Sequence, residues 1–137
     1  MPRISHLLET ALYVADLDRS RAFYTRVLGF ECLLQDDRMA GLAIPGGSIL
    51  LLFVRGGSTQ PSGTPGGTIP PHDAQGTQHL AFAVPFAELE TWATHRPTMG
   101  VPLESRVTQT FGGTSLYFRD PDGHSVEVAA PGLWATY

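Results

Sequence analysis

The feature that most limits how this chain can fold is a duplication. Glu9-Thr10-Ala11-Leu12-Tyr13-Val14 and His79-Leu80-Ala81-Phe82-Ala83-Val84 share one alternating pattern, and each is followed by the same succession of elements. Alternation over six residues reads as a strand with one buried face. After the first strand comes a helical pattern from Ser20 to Leu28, with Asp16 or Asp18 placed to cap it and Gly29 to end it. After the second, Pro85 opens a helical pattern over 86–94 and Gly100 closes the region. Three strands then follow in each copy, near 30–35, 38–44 and 48–54, and near 103–110, 114–119 and 124–129. The turns before the last strands match too, Pro45-Gly46-Gly47 against Pro121-Asp122-Gly123. Pro presets φ there, and Gly accepts a positive φ. The order is therefore β-α-β-β-β, twice. It predicts an α+β fold of two modules, about 5–54 and 77–130, forming a curved mixed-sheet cup with the helices outside.

Residues 55–76 separate the copies. They are rich in Gly, Pro, Ser and Thr and carry no periodicity. A structureless stretch this long in a small protein is a linker or a functional lid. With Ile69 as its main apolar anchor, it is expected to be mobile and to gate the mouth of the cup.

Composition narrows the function by exclusion. A net charge of −4 over 137 residues argues against a nucleic-acid or anionic-membrane surface. No apolar run reaches the roughly 20 residues of a membrane span. MPRISHLLET has no basic region followed by an apolar core, so no signal peptide is expected. The single Cys32 excludes an internal disulfide, fits a reducing compartment and reads as a structural thiol. A cytoplasmic protein is expected.

Strand parity sorts the polar residues. Glu9, Ala11 and Tyr13 share one face of the first strand; His79, Ala81 and Ala83 share one face of its counterpart; Ser125, Glu127 and Ala129 share one face of the last strand. The opposite faces, such as Leu80, Phe82 and Val84, are bulky and apolar. By the repeat, His79 corresponds to Glu9 and Glu127 to Leu51. His6 falls on the other face from Glu9. Plainer roles exist for each: Glu127 as an acid on an edge strand or paired with an Arg, His79 as a hydrogen-bonded core histidine. His6, His72, His95 and His124 read as solvent or turn residues. Phe23, Tyr24 and Leu28 read as core at helical spacing. Trp134 would cover the sheet or a dimer interface.

Taken in order, Leu12-Tyr13-Val14-Ala15-Asp16-Leu17-Asp18-Arg19-Ser20, Phe23-Tyr24, Val27-Leu28-Gly29-Phe30, Gln78 to Val84 and Asp120-Pro121-Asp122-Gly123-His124 with Glu127 resemble the vicinal oxygen chelate superfamily. That superfamily comprises glyoxalase, bleomycin-resistance and extradiol-dioxygenase proteins. The resemblance implies a cup around a divalent metal, with Glu9, His79 and Glu127 as ligands and open positions left for substrate. One imidazole and two carboxylates suit Mn²⁺, Fe²⁺ or Mg²⁺, with Zn²⁺ also accommodated. The chain departs from the pattern in two places. Many metal-dependent members carry His at the position of Glu9, and glyoxalase I has a ligand at that of Leu51. The implied activity is that of a lyase, dioxygenase or transferase on a small molecule chelated through vicinal oxygens. Glu127, Tyr117 and Tyr13 would be the groups at the reacting molecule, with Arg119 at the rim. The alternative is a metal-free binding protein that sequesters a small molecule or antibiotic. Members often associate, so a homodimer is expected.

Overall fold

The computed structural model describes residues 1–137, which fall into two compact units, Met1–Gly76 and Thr77–Tyr137. The first unit holds β1 (Glu9–Val14), α1 (Leu17–Leu28), β2 (Glu31–Gln35), β3 (Met39–Ile44) and β4 (Ser48–Val54), in sheet order β1-β4-β3-β2. β1 runs parallel to β4, and the other pairs are antiparallel. α1 starts where Asp16 accepts the Arg19 amide at 2.9 Å, and it stops at Gly29, whose φ of 74° only glycine adopts freely. It packs on β3 and β4. Phe23, Tyr24 and Val27 point inward, whereas Leu28, expected in the core, is only half-buried because it lies one step further round the helix than Val27. Leu12, Val14, Leu42, Leu50 and Leu52 form the covered sheet face, none more than 2% exposed. Each such side chain contributes about 1.5–3 kcal/mol by leaving water.

The segment 55–76 is not structureless. It folds a small antiparallel hairpin, β5 (Ser62–Thr64) with β6 (Gly67–Ile69). The Thr64 hydroxyl donates to the Gly67 carbonyl at 2.7 Å. The hairpin's flanks are tied down: His72 N–H donates to Ser58 O at 2.9 Å, Gly56 N–H to Asp73 at 3.1 Å, and Arg38 to the buried Ser58 hydroxyl at 3.3 Å.

The second unit repeats the plan: β7 (His79–Ala83), a 3-10 turn (Phe86–Glu88), α2 (Leu89–Thr98), β8 (Ser105–Thr108), β9 (Thr114–Arg119) and β10 (Ser125–Ala129), in sheet order β7-β10-β9-β8. α2 begins later than predicted, because the turn after Pro85 winds as 3-10, and it ends later, running past Pro97 to Thr98. Pro97 cannot donate to the Ala93 carbonyl. The Arg96 guanidinium does so in its place at 3.4 Å, donates to Val101 O at 3.2 Å and lies 5.8 Å over the Phe118 ring, 1% exposed.

The two sheets share their register as well as their order. Glu9 pairs with Ile49 and Ala11 with Leu51; His79 pairs with Ser125 and Ala81 with Glu127. The α+β class and the paired βαβββ modules are as the sequence predicts.

Candidate functional site

β10 is an inner strand, between β7 and β9, so Glu127 is not an acid on an exposed edge. Its residue is 3% exposed. One carboxylate oxygen, Oε2, stands 3.3 Å from His79 Nε2; the other, Oε1, is buried with no hydrogen-bond partner. A buried carboxylate oxygen left unsatisfied is costly and marks a place where something is to be held. His79 itself is half-exposed, not a core histidine. Its Nδ1 lies 3.0 Å from the Ser125 carbonyl. A carbonyl only accepts, so Nδ1 carries the hydrogen and Nε2 presents its lone pair toward Glu127. Two electron-rich atoms thus face each other, and a proton or a cation between them relieves the repulsion.

That donor set fits a divalent ion. A ligating imidazole almost always donates its other N–H to a carbonyl or carboxylate, as His79 does. Two neighbouring donors, each about 2.1 Å from one ion at a near-tetrahedral angle, are roughly 3.4 Å apart. His79 and Glu127 supply two ligands. Within each unit, no group of three or more His, Cys, Asp or Glu side chains is gathered for a metal, and Glu9, the third expected ligand, is on β1 of the first unit, exposed.

Tyr117 pairs with Glu127 across β9 and β10, and its ring stacks on His79 with centroids 6.2 Å apart. Gln109 donates to Ser115 Oγ at 2.7 Å and to the Tyr117 hydroxyl oxygen at 3.2 Å. Sequence reasoning missed Gln109; it stands just past β8, where no periodicity flags a residue. Arg119 is a rim group: it pairs with Glu104 and donates to the Gly123 carbonyl at 3.0 Å. A cavity of about 290 Å³ lies along Glu104, Ser105, Tyr117, Arg119 and Ser125.

In the first unit the corresponding sheet face bounds a cavity of about 590 Å³. Ala11 and Gly41 keep it roomy, but Met39, Ile49, Leu51 and Phe53 make it apolar, so the face is not one of small residues throughout. Its polar groups are Glu9, Thr10, Tyr13, Arg38 and His72. Tyr13 and His72, 59 residues apart, meet at 2.7 Å, hydroxyl to Nδ1, and the His72 ring stands edge-on to Phe53 at 4.4 Å. Burial pushes the Tyr13 phenol up, and the charge of Asp73 adds to it. Its proton therefore stays on, and one hydrogen is shared between the Tyr13 oxygen and His72 Nδ1.

Two histidines thus depart from their expected roles. His72 is in the cavity wall rather than in solvent. His124, at the end of the Asp120–Gly123 turn, is fully buried; its Nδ1 accepts the Gln78 amide at 2.9 Å, and its own amide is held by Asp120 at 2.8 Å. Both are fixed by partners far away in sequence, which local pattern cannot reveal. His6 is exposed ahead of β1, and His95 is half-buried against Trp92. Cys32 sits half-buried in β2, its thiol 3.4 Å from the Leu34 carbonyl. Trp134 is 66% exposed and covers no sheet of its unit; Tyr137 ties the tail instead, its hydroxyl 2.8 Å from the Ala129 carbonyl.

Known proteins carry the same pattern. The glyoxalase/bleomycin resistance protein/dioxygenase superfamily matches residues 3–128. The chain is similar to catechol-2,3-dioxygenase of Bacillus subtilis, 27% identical over 134 residues, 92% of this chain but only 41% of that protein's length. It is also similar to the metallothiol transferase FosB of Shouchella clausii, 30% identical over 84% of this chain and 73% of the relative. Among solved structures, lactoylglutathione lyase from Agrobacterium tumefaciens superposes with a TM-score of 0.88 at 35% identity, covering 98% of this chain and 99% of the other. The superfamily match, over almost the whole chain, and the shared βαβββ topology lead to one assignment: the chain belongs to the glyoxalase/bleomycin resistance protein/dioxygenase superfamily.

Proposed function

We propose that this chain is a divalent-metal-dependent enzyme acting on a small molecule that offers two neighbouring oxygens, with Glu9, His79 and Glu127 as the protein ligands. The observation that supports it is the buried, unpartnered Oε1 of Glu127 beside a His79 whose Nδ1 hydrogen is already committed to Ser125. When bound, the ion supplies Lewis-acid polarisation of the substrate oxygens. Mn²⁺, Fe²⁺ and Mg²⁺ suit two carboxylates and one imidazole, with Zn²⁺ also accommodated. Tyr117 positions substrate: Gln109 donates to its oxygen, which leaves the phenol hydrogen to give to a substrate oxygen. The relatives are named for dioxygenase, metallothiol transferase and lyase activities, and we propose a reaction of that range. The free Cys32 supports a cytoplasmic location. The exposed apolar Phe111 and Trp134 support a homodimer, which light scattering would test.

The test is metal binding itself. Protein stripped with a chelator is titrated calorimetrically with Mn²⁺, Fe²⁺, Mg²⁺ and Zn²⁺. One ion per chain is expected, with His79→Ala and Glu127→Ala each weakening it at least about tenfold and His6→Ala leaving it unchanged. If no ion binds, the metal reading falls, and a metal-free small-molecule or antibiotic-binding protein replaces it. The largely apolar cavity of the first unit favours that second reading.

A further inference from the structure

The first unit's cavity is built by a difference between the repeats. Gly41 on β3 pairs with Leu51, and Tyr117 on β9 pairs with Glu127, so Gly41 stands where the second unit has a tyrosine. Without a side chain at Gly41, the floor above β3 is open. The walls are Leu34, Met39, Ile49, Leu51, Phe53 and Ile69. Two of these, Leu34 and Ile69, are about half-exposed, 54% and 48%, although they are large and apolar. About 590 Å³ lies within the range of small-molecule pockets.

Charge inside the cavity is unevenly placed. Arg38 precedes Met39, which pairs with Phe53, and its guanidinium lies 5.9 Å over the Phe53 ring. Its one side-chain hydrogen bond goes to the neutral Ser58 hydroxyl. The nearby acid, Asp36, spends its carboxylate on the Arg38 and Met39 backbone amides. Arg38 therefore keeps donors for an anion. Glu9 is beside Ile49, four residues from Phe53 along β4 and so about 13 Å away. An anion on the Arg38 guanidinium avoids Glu9, while the acid on the Tyr13 side, Asp73, accepts the Gly56 amide at 3.1 Å. At the same end, Tyr13 stacks on Phe53 and ties His72 through its Nδ1 at 2.7 Å.

We infer that the first unit binds a flat apolar molecule carrying one anionic group, with the anion on Arg38 and the apolar body over Gly41 and Leu51. This site stands on the first unit alone and does not depend on the metal reading. The probe is naphthalene-2-carboxylate, compared with neutral 2-naphthalenemethanol, titrated by fluorescence into chelator-treated protein. The carboxylate should bind at least about tenfold more tightly than the alcohol. Arg38→Met should remove that preference and leave the alcohol's affinity nearly unchanged. Gly41→Leu should weaken both probes at least about tenfold; its Cβ would meet Leu34, Leu51 and Ile49 at ordinary distances of 3.6–3.9 Å, so folding should survive. Thermal melts check that. If Gly41→Leu fails to fold, the two-probe ratio in Arg38→Met decides alone. Equal affinities for the two probes, or an unchanged carboxylate affinity in Arg38→Met, overturn the inference. So does carboxylate binding that appears only with metal added, a result that leaves the metal proposal intact.

Discussion

The two units have one topology and one register, yet their uncovered sheet faces have opposite chemistry. Where the first unit has Gly41, Ile49 and Leu51, the second has Tyr117, Ser125 and Glu127. The other faces did not diverge. Leu12, Leu42 and Leu50 correspond to Phe82, Phe118 and Val126, apolar throughout. Period-two geometry explains the split. Each strand gives alternate residues to a core that tolerates only apolar volume and to a surface that is free to change. One copy became an apolar receptacle; the other gathered an acid, an imidazole and a phenol.

The largest effects should come from the faces that agree. Phe118 and Leu42 occupy corresponding places and are fully buried. Phe118→Ala should cost about 3–5 kcal/mol, and Leu42→Ala about 2–5 kcal/mol, in urea unfolding. A cost below about 1 kcal/mol at either position would mean that the two cores are not equivalent.

The faces that differ should respond the other way. Glu127→Leu writes the first unit's residue into the second. It removes a buried carboxylate with an unsatisfied oxygen. The metal-free protein should gain about 1–2 kcal/mol, since replacing a buried charge by a packed apolar group is commonly stabilising. Metal binding should be lost in the same variant. A less stable metal-free variant would show that Glu127 serves the fold.

The strands and helices of both modules were legible in the sequence because each depends on local signals: alternation, a capping Asp16, a closing Gly29. Parity likewise placed Glu127 and His79 on like faces. What escaped depends on distant partners. His124 is buried by virtue of Gln78, and His72 is held half-buried in the cavity wall by Tyr13. Arg96 is buried because Pro97 leaves a carbonyl to be filled, past the point where the helical pattern fades. The β5–β6 hairpin has strands of three residues, too short to show a period.

The two helices sharpen the comparison at smaller scale. α1 has a side-chain cap at Asp16, whereas α2, entered through a 3-10 turn, has none at Glu88. Asp16→Ala should cost about 1 kcal/mol, and Glu88→Ala should stay within about 0.5 kcal/mol. Equal costs would mean that the 3-10 turn caps α2 in a way its backbone bonds do not show.

The smallest effect separates the units by pH. In the second unit, Arg119 grips Glu104 through two hydrogen bonds, of 2.5 and 2.9 Å, whereas Arg21 and Asp18 of the first unit approach only to 3.8 Å. The hydrogen bond from Arg119 holds the Glu104 carboxyl below its ordinary range, and the guanidinium charge adds to it. A carboxyl whose folded value lies below its unfolded value binds fewer protons folded than unfolded, so its contribution is complete above the unfolded value, about 4.3, and fades as pH falls through the folded one. Glu104→Gln should therefore lower the urea midpoint slightly at pH 6, with the difference from the native protein shrinking below pH 4. Because the pair is exposed, 0.5 M NaCl should also reduce the pH 6 difference. Midpoint curves that run parallel from pH 6 to pH 3 would show that the pair orders the rim beside Tyr117 without contributing to stability.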